Sequence, residues 1–211
     1  MAWPQGIILV VAGFLLGSIP VGFIVAKAKG VDIRAIGSGN IGATNVWRAL
    51  GWSWGVAVLA ADILKGLVPT LAAVLLTRGQ PQAPGFAPSG AAWLAMATGL
   101  SAVLGHTFTP WLRFKGGKGV ATGLGALLAL FQLWAWIPFA VFLAGMGLSR
   151  MVSLGSILAG ISVAVISFSV PALRPYWPFG LLAALLVVYT HRANIARILS
   201  GSENRLGRPR G

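Results

Sequence analysis

Seven apolar runs, separated by polar or glycine-rich breaks, constrain the fold of this chain more than any other feature. They cover residues 7–26, 56–76, 91–104, 120–130, 134–148, 157–170 and 179–189. Only 9% of the residues are charged, whereas about 25% are charged in a soluble domain. A perpendicular helix needs about 20 apolar residues to cross a bilayer, so the shorter runs imply local thinning or helices that end at a polar cleft. The pattern predicts an all-α, polytopic membrane protein of about seven transmembrane helices, with residues 1–211 as one membrane-embedded domain.

The distribution of basic residues predicts the orientation of these helices, because cytoplasmic loops are enriched in Lys and Arg. If the N-terminus lies outside, the outer segments contain only Arg78 and Arg174, and Lys65 lies within a span. The inner segments then contain Lys27, Lys29, Arg34, Arg48, Arg113, Lys115, Lys118, Arg150, Arg192, Arg197, Arg205, Arg208 and Arg210. The sequence therefore predicts an outside N-terminus and a cytoplasmic C-terminus.

The net charge of +13 indicates a negatively charged partner. An anionic membrane surface attracts each basic residue near it by about 1 kcal/mol. Nucleic acid is the competing partner, but the basic residues are spread over separate loops and do not form one basic module. We therefore expect the lipid bilayer, and not nucleic acid, as the partner.

Four unusual segments fall on the same predicted cytoplasmic side of the membrane. They are residues 37–48, 105–122, 150–156 and 191–205. Loops that converge on one face of a helical protein can build one site. The sequence therefore predicts a single site on the cytoplasmic side.

The first segment begins with "GSGNIGATN" (residues 37–45), which is rich in glycine and in small polar side chains. Glycines let the backbone approach a ligand closely, and successive N–H groups ahead of a helix bind anions. Thr44 or Asn45 could cap a helix that begins near Val46, and Arg48 would offer a fork of donors to a phosphate. A flexible loop that joins two spans is the alternative interpretation.

The second segment contains "FKGGKGVAT" (residues 114–122), another glycine-rich stretch, with Lys115 and Lys118 ahead of a helical run. A nucleotide-binding P-loop requires Ser or Thr directly after the lysine, whereas Gly119 follows Lys118 here. The stretch therefore predicts a phosphate cradle made of backbone and lysine, without an ATPase function. Alternatively, Lys118 only marks the cytoplasmic side.

The third and fourth segments add hydroxyl, imidazole and amide groups. Ser153 and Ser156 share one helix face and could donate to an anion, although helix capping is the simpler interpretation. His191 and Asn194 also lie three residues apart on one face, and Arg197 follows in the next turn. A basic amphipathic tail on the lipid headgroups is the alternative, which explains the arginines better than His191 and Asn194.

The inventory of residues disfavours several chemistries. The chain has three acidic residues, two histidines and no cysteine, which argues against a paired-carboxylate hydrolase and a protein metal site. We expect no metal and no cofactor. A pair of Ser38 and His191 is conceivable, but spacing does not define it. Asp62 and Lys65 lie within a span, where an unpaired charge costs at least ~2.5 kcal/mol, so we expect them to neutralise each other as an ion pair or to line the cleft.

The abundant anion donors suit a substrate that brings its own reactivity. A phosphoric-carboxylic anhydride is already activated, so the protein need mainly align it and stabilise charge on the departing phosphate. A transporter or channel for organic phosphates is the alternative, because a basic cleft among short helices could also be a translocation pathway. Transporters often contain internal repeats, and none is visible in this sequence.

Together the segments resemble the acyl-phosphate-dependent glycerol-3-phosphate acyltransferases of bacterial membranes, the PlsY family. The matching stretches occur in the family's order over nearly the whole chain: "GSGNIGATNVWRALG" (37–51), "DILKG" (62–66), "GH" (105–106), "FKGGKGVATG" (114–123), "SLGSI" (153–157) and "HRANIARILSGSE" (191–203). The resemblance implies a seven-helix, multi-pass enzyme of the bacterial cytoplasmic (inner) membrane, with an active site that faces the cytoplasm. It implies transfer of a fatty acyl group from acyl phosphate to the 1-position of sn-glycerol 3-phosphate. The products would be lysophosphatidic acid, an intermediate of phospholipid biosynthesis, and inorganic phosphate.

The resemblance also implies roles for the matching residues. Catalytic roles fall to Ser38, Arg48, Lys118, His191 and Asn194. Binding of substrate or phosphate falls to Gly37, Gly39, Asn40, Gly42, Thr44, Asn45, Gly116, Gly117, Gly119, Ser153, Ser156, Arg197 and Glu203. His191 and Asn194 would position glycerol 3-phosphate, and a phosphate of the substrate, not a protein base, would accept the proton. Residues 107–113 depart from the family's pattern, so the resemblance assigns no role to His106.

Overall fold

The computed structural model describes residues 3–80 and 85–207, and the regular structure of these residues is entirely helical. The α-helices are α1 (Trp3–Ser18), α2 (Val21–Ala28), α3 (Ala43–Leu50), α4 (Trp52–Leu76), α5 (Gly90–Thr107), α6 (Val120–Phe131), α7 (Trp136–Ser149), α8 (Val152–Ser169), α9 (Trp177–Thr190) and α10 (Arg192–Leu199). Short 3₁₀ helices occur at Pro110–Leu112, Gln132–Ala135 and Pro171–Tyr176. The all-α prediction is confirmed.

Six segments of the described chain are long and apolar enough to cross a membrane. They are Pro4–Ala28, Trp52–Leu76, Gly90–Leu112, Val120–Ser149, Val152–Ser169 and Pro171–Thr190. The predicted runs 120–130 and 134–148 both fall within Val120–Ser149, because the break between them, Gln132–Ala135, is itself helical. Many exposed Leu, Ile and Val side chains cover these segments, as expected of helices whose solvent is lipid. The count of seven spans and their orientation stay predictions.

The contacts within the chain divide it into two compact units. Unit 1 comprises Met1–Pro81 and Gly90–Leu130, and unit 2 comprises Gln82–Ser89 and Phe131–Gly211. The single membrane-embedded domain over residues 1–211 stays a prediction.

Small residues let the helices of unit 1 pack backbone against backbone. A Cβ atom on Gly17 of α1 would collide with the carbonyl group of Ala102 in α5. A Cβ atom on Gly105 of α5 would likewise collide with the backbone of Phe14 in α1, and α6 packs as closely on α4 at Gly125. Such close approach is a main source of helix association in a bilayer, where apolar burial supplies little driving force.

A buried pair of opposite charges lies within unit 1. Lys65 Nζ is 2.9 Å from Asp62 Oδ1, and both side chains are less than a tenth exposed. Lys65 Nζ also donates a 3.0 Å hydrogen bond to the carbonyl oxygen of Ile19, directly after α1. The predicted ion pair is confirmed, and it ties α4 to the end of α1.

An apolar cluster holds the connection between α2 and α4 in place. Its buried members are Ala26, Ile33, Ile41, Val46 and Val58. Ile33 and Ile41 flank residues 34–39, which are all exposed and contain the start of the glycine-rich stretch. The polar loop is therefore anchored at both ends while its middle reaches the surface of the unit.

Unit 2 is built around α8, which contacts α7 on one side and α9 on another. Gly155 of α8 approaches the backbone of α7 at Phe142, and Gly160 of α8 approaches the side chain of Val187 in α9. The first turns of this central helix carry the predicted serine pair.

Candidate active site

The first glycine-rich segment of unit 1 forms a tight loop followed by a short helix. Gly37 and Gly39 have φ angles of +59° and +68°, a region that residues with a Cβ atom rarely adopt. The carbonyl oxygen of Gly42 accepts hydrogen bonds from the N–H groups of Asn45 and Val46, so α3 already begins at Ala43. The helix starts three residues before the predicted position, and Gly42, not Thr44 or Asn45, is the N-cap residue.

Asn45 holds this loop together from a buried position. Its amide nitrogen donates hydrogen bonds of 3.0 Å to the carbonyl oxygens of Ile33 and Ile36. Its Oδ1 accepts a 3.0 Å hydrogen bond from the Ser38 N–H. A Cβ atom on Gly37 would collide with the same Oδ1. Asn45 therefore organises the loop from inside, and its direct contact with phosphate stays a prediction.

Other predicted ligands of the first loop lie nearer its surface. Ser38 and Arg48 are exposed, whereas Asn40 and Thr44 are half-buried. Oδ1 of Asn40 accepts a 2.8 Å hydrogen bond from the Gly42 N–H, which shapes the approach to α3. A guanidinium group and hydroxyl groups around a glycine loop form an arrangement suited to an anion.

The second glycine-rich segment of unit 1 lies directly on the C-terminal end of α5. The Gly116 N–H donates to the carbonyl oxygen of Thr107 at 3.0 Å, and the Gly117 N–H donates to that of His106 at 3.1 Å. A Cβ atom on Gly116 would collide with the His106 backbone, and one on Gly117 with the His106 ring. Close packing therefore requires both glycines, and their contact with phosphate stays a prediction.

Lys118 lies where this loop turns into α6. Gly119 has a φ angle of +80°, and its carbonyl oxygen accepts a 2.7 Å hydrogen bond from the Gly123 N–H. The half-buried Lys118 thus stands just ahead of the first turn of a 12-residue helix. An ammonium group and a helix N-terminus both attract anions.

Glu203 is the centre of the candidate site residues in unit 2. Its Oε1 accepts 2.7 Å hydrogen bonds from Ser153 Oγ and Asn194 Nδ2. Its Oε2 accepts a 2.8 Å hydrogen bond from Arg197 Nε. The carboxylate is 4% exposed, and it ties α10 to the start of α8. Because a carboxylate repels phosphate, this geometry makes Glu203 an organiser, and its contact with substrate stays a prediction.

The hydrogen bonds to Glu203 also set its charge. Burial by itself raises the pKa of this carboxyl group, but the bonds from Ser153, Asn194 and Arg197, together with the Arg197 charge, outweigh burial. The net effect holds the pKa below its ordinary value. Glu203 is therefore an ionised acceptor for all three donors at neutral pH.

The two serines of α8 differ in their partners. Ser153 reaches Glu203, whereas the Ser156 hydroxyl donates a 2.8 Å hydrogen bond to the carbonyl oxygen of Val152 in its own helix. Both are buried. Contact of Ser156 with phosphate stays a prediction.

His191 has a defined tautomer when its ring is neutral. Its Nδ1 lies 2.8 Å from the carbonyl oxygen of Val187, and a carbonyl oxygen can only accept, so Nδ1 carries the proton. Nε2 is then an acceptor. The buried ring sits at the N-cap position of α10, one turn before Asn194. Such a ring can accept a hydrogen bond from a substrate hydroxyl group and orient it.

The structure adds His106 to the residues around the second loop. Its Nδ1 is 3.7 Å from Asp62 Oδ1, and its ring abuts Gly117. The "DILKG" and "GH" stretches are the sequence signal for this group, but they lie on different helices, so sequence spacing does not show that they meet. The prediction that all four polar segments build one site stays a prediction.

Comparisons with known proteins cover nearly the whole chain. Residues 7–201 match the family model described as glycerol-3-phosphate acyltransferase. The chain is 45% identical to the glycerol-3-phosphate acyltransferase of Geobacter sulfurreducens, over 94% of this chain and 96% of the relative. It is also 45% identical to that of Thermus thermophilus, over 92% of each chain.

Solved structures agree with these sequence matches. A crystal structure of PlsY (YgiH), described as an integral membrane glycerol 3-phosphate acyltransferase in its glycerol 3-phosphate form, has a TM-score of 0.87 to this chain. The two are 41% identical, and the match covers 96% of both chains. The lysophosphatidic acid form of PlsY matches with a TM-score of 0.84. The motifs, the apolar helices and these relatives agree, and the chain belongs to the glycerol-3-phosphate acyltransferase family.

Proposed function

We propose that the protein transfers a fatty acyl group from acyl phosphate to the 1-hydroxyl group of sn-glycerol 3-phosphate, at the cytoplasmic face of a bacterial inner membrane. The products are lysophosphatidic acid and inorganic phosphate. The family supports acyl transfer to glycerol 3-phosphate. The observation that carries the choice of donor is the pair of glycine-rich loops in unit 1, each followed by a helix and accompanied by a basic residue. Arg48 lies in the last turn of α3, and Lys118 lies just ahead of α6.

An activated donor fits the scarcity of acid and base groups in this chain. In the described part of unit 2, Glu203 is the carboxylate near the candidate residues, and it already accepts hydrogen bonds from three donors. The phosphate of a mixed anhydride leaves readily, so the main demand on the protein is positive charge where negative charge develops. Arg48 and Lys118 meet that demand.

The acyl transfer requires no nucleophile from the protein. The 1-hydroxyl oxygen attacks the carbonyl carbon of acyl phosphate, an ester C–O bond forms, and the bond from that carbon to the phosphate oxygen breaks. The electron pair of the broken bond leaves with the phosphate, and a phosphate oxygen of the substrate takes the hydroxyl proton. Nε2 of His191 accepts a hydrogen bond from the non-reacting hydroxyl group and holds the glycerol in place.

The test is phosphate release from palmitoyl phosphate by detergent-purified protein, with and without glycerol 3-phosphate, in the presence of EDTA. We expect release that requires glycerol 3-phosphate and survives EDTA. Lys118→Ala and Arg48→Ala should each lower the rate roughly 100-fold, if each group supplies ~3 kcal/mol to the transition state. Arg78→Ala, on the predicted outer side, is the matched control and should keep the wild-type rate.

Two results would contradict the proposal in different ways. Product formed only from acyl-CoA or acyl carrier protein would show that the donor is wrong. Absence of turnover in folded protein, together with uptake of labelled glycerol 3-phosphate into proteoliposomes, would favour the transporter.

A further inference from the structure

Asp62, Lys65 and His106 form a buried cluster that the acyl-transfer step does not use. The Asp62 carboxylate lies between the Lys65 ammonium, at 2.9 Å, and the Nδ1 edge of the His106 ring, at 3.7 Å. All three side chains are less than a tenth exposed. Lys65 is in turn fixed to the carbonyl oxygen of Ile19 at 3.0 Å. The cluster thus joins α4, α5 and the end of α1.

The opposite edge of the His106 ring, at Nε2, packs against the second glycine-rich loop. A Cβ atom added to Gly117 would collide with His106 Nε2. The same two residues are joined through the backbone, because the Gly117 N–H donates to the His106 carbonyl oxygen at 3.1 Å. The next residue in the chain is Lys118. A shift of the ring would therefore move the segment that carries this lysine.

We propose that Asp62, Lys65 and His106 are positioning residues, which hold the 116–119 loop against α5 and so set the place of Lys118. This inference rests on the proposed function, because the place of Lys118 affects the reaction rate only if Lys118 binds the phosphate of a substrate. An ion pair with fixed partners specifies one arrangement where apolar packing would allow several. Reaction rates respond steeply to displacements of about 1 Å in the groups that hold a substrate.

Two conservative variants of His106 distinguish the contact made by Nε2 from the contact made by Nδ1. The terminal amide of Gln reaches the position of Nε2, whereas that of Asn reaches the position of Nδ1. His106→Gln should retain contact with Gly117 and keep kcat/KM within about threefold of wild type. His106→Asn should lose that contact and lower kcat/KM about tenfold or more. The thermal midpoints of both variants are measured in parallel to check that both proteins are folded when their kcat/KM values are compared.

A second measurement does not depend on turnover. The chain has no cysteine, so Lys118→Cys supplies a single thiol whose rate of reaction with N-ethylmaleimide reports the place of the loop. Adding His106→Asn or Asp62→Asn should change this rate about fivefold or more, whereas adding His106→Gln should not. Ser200→Cys, at an exposed position after α10, is the control and should react at one rate in every background.

Each outcome decides the proposal. Equal kcat/KM for the Gln and Asn variants, or a labelling rate at position 118 that neither Asn variant changes, would overturn it. An inactive wild type would refute the proposed function alone, because the labelling rates would still show whether the cluster sets the loop.

Discussion

Asn45 and Glu203 act from buried positions, each as the hydrogen-bonding centre of one polar segment. Asn45 contacts backbone groups of its own loop on both sides, and Glu203 gathers side chains from α8 and α10. Ser38 and Arg48, in contrast, are exposed. Substitutions of the first kind should therefore reduce stability, and those of the second kind should reduce the rate.

Asn45→Ala should destabilise the protein by about 2 kcal/mol, because it leaves the Ser38 N–H and two carbonyl oxygens without their partner. The thermal midpoint in detergent should fall by roughly 4–8 °C. Asn40→Ala in the same loop removes one partly buried hydrogen bond and should cost half as much or less. Equal losses for the two asparagines would contradict a special role for Asn45.

Glu203 makes the stability of unit 2 dependent on pH. Its pKa is lower in the folded chain than the ordinary 4.5, so its stabilising effect is complete above that value and is lost as the pH falls toward the folded pKa. The thermal midpoint of wild type should decrease below about pH 4.5. Glu203→Gln should lower the midpoint at pH 7 and flatten this decrease, and an unchanged slope would contradict the assignment.

At the scale of elements, small residues decide which helices of unit 1 meet. Gly17→Ala should cost about 1–3 kcal/mol, because its methyl group would overlap the Ala102 carbonyl group and push α1 away from α5. Gly123→Ala in α6 is the matched control. It has open space at the Cβ position, and alanine favours a helix by up to about 1 kcal/mol over glycine. Thermal midpoints that fall equally in both variants would count against backbone packing.

The elements also show where local pattern was insufficient. The start of α3 was predicted near Val46, but the extended Gly42 lets the helix begin at Ala43. The break at Gln132–Ala135, predicted to separate two spans, is a short 3₁₀ helix whose first residue, Gln132, has a φ angle of +51°. The separation of two spans at this place stays a prediction. At the start of α3 the glycine-rich sequence is compatible with several backbone paths, and the hydrogen bonds from the Asn45 and Val46 N–H groups to the Gly42 carbonyl oxygen select one.

At the scale of the whole molecule, the distribution of charge predicts which side each loop faces. Arg78→Cys in intact cells should react with a membrane-impermeant maleimide, whereas Ser200→Cys should react only after permeabilisation. The absence of native cysteine makes each label specific. The reverse pattern would invert the predicted orientation and place the candidate loops outside. Arg208 and Arg210, which also enter the charge argument, lie outside the described residues.

The sequence by itself determined the class of the protein. Apolar runs, scarce charge and ordered motifs suffice for an all-α membrane protein and for its family, because hydropathy and short-range spacing are properties of the chain alone. The Asp62–Lys65 ion pair was predictable for the same reason, since both residues lie on one helix face.

Tertiary structure decided what each polar residue contacts. Asn45, Gly116, Gly117 and Glu203 were all assigned to phosphate or substrate, and that assignment stays a prediction. In the folded chain the Asn45 amide, the Gly116 and Gly117 N–H groups and the Glu203 carboxylate form hydrogen bonds with the protein's own backbone and side chains. The meeting of His106 with Asp62 depends on the packing of α4 against α5. These contacts join residues that are distant in sequence, so the approach of one helix to another determines them.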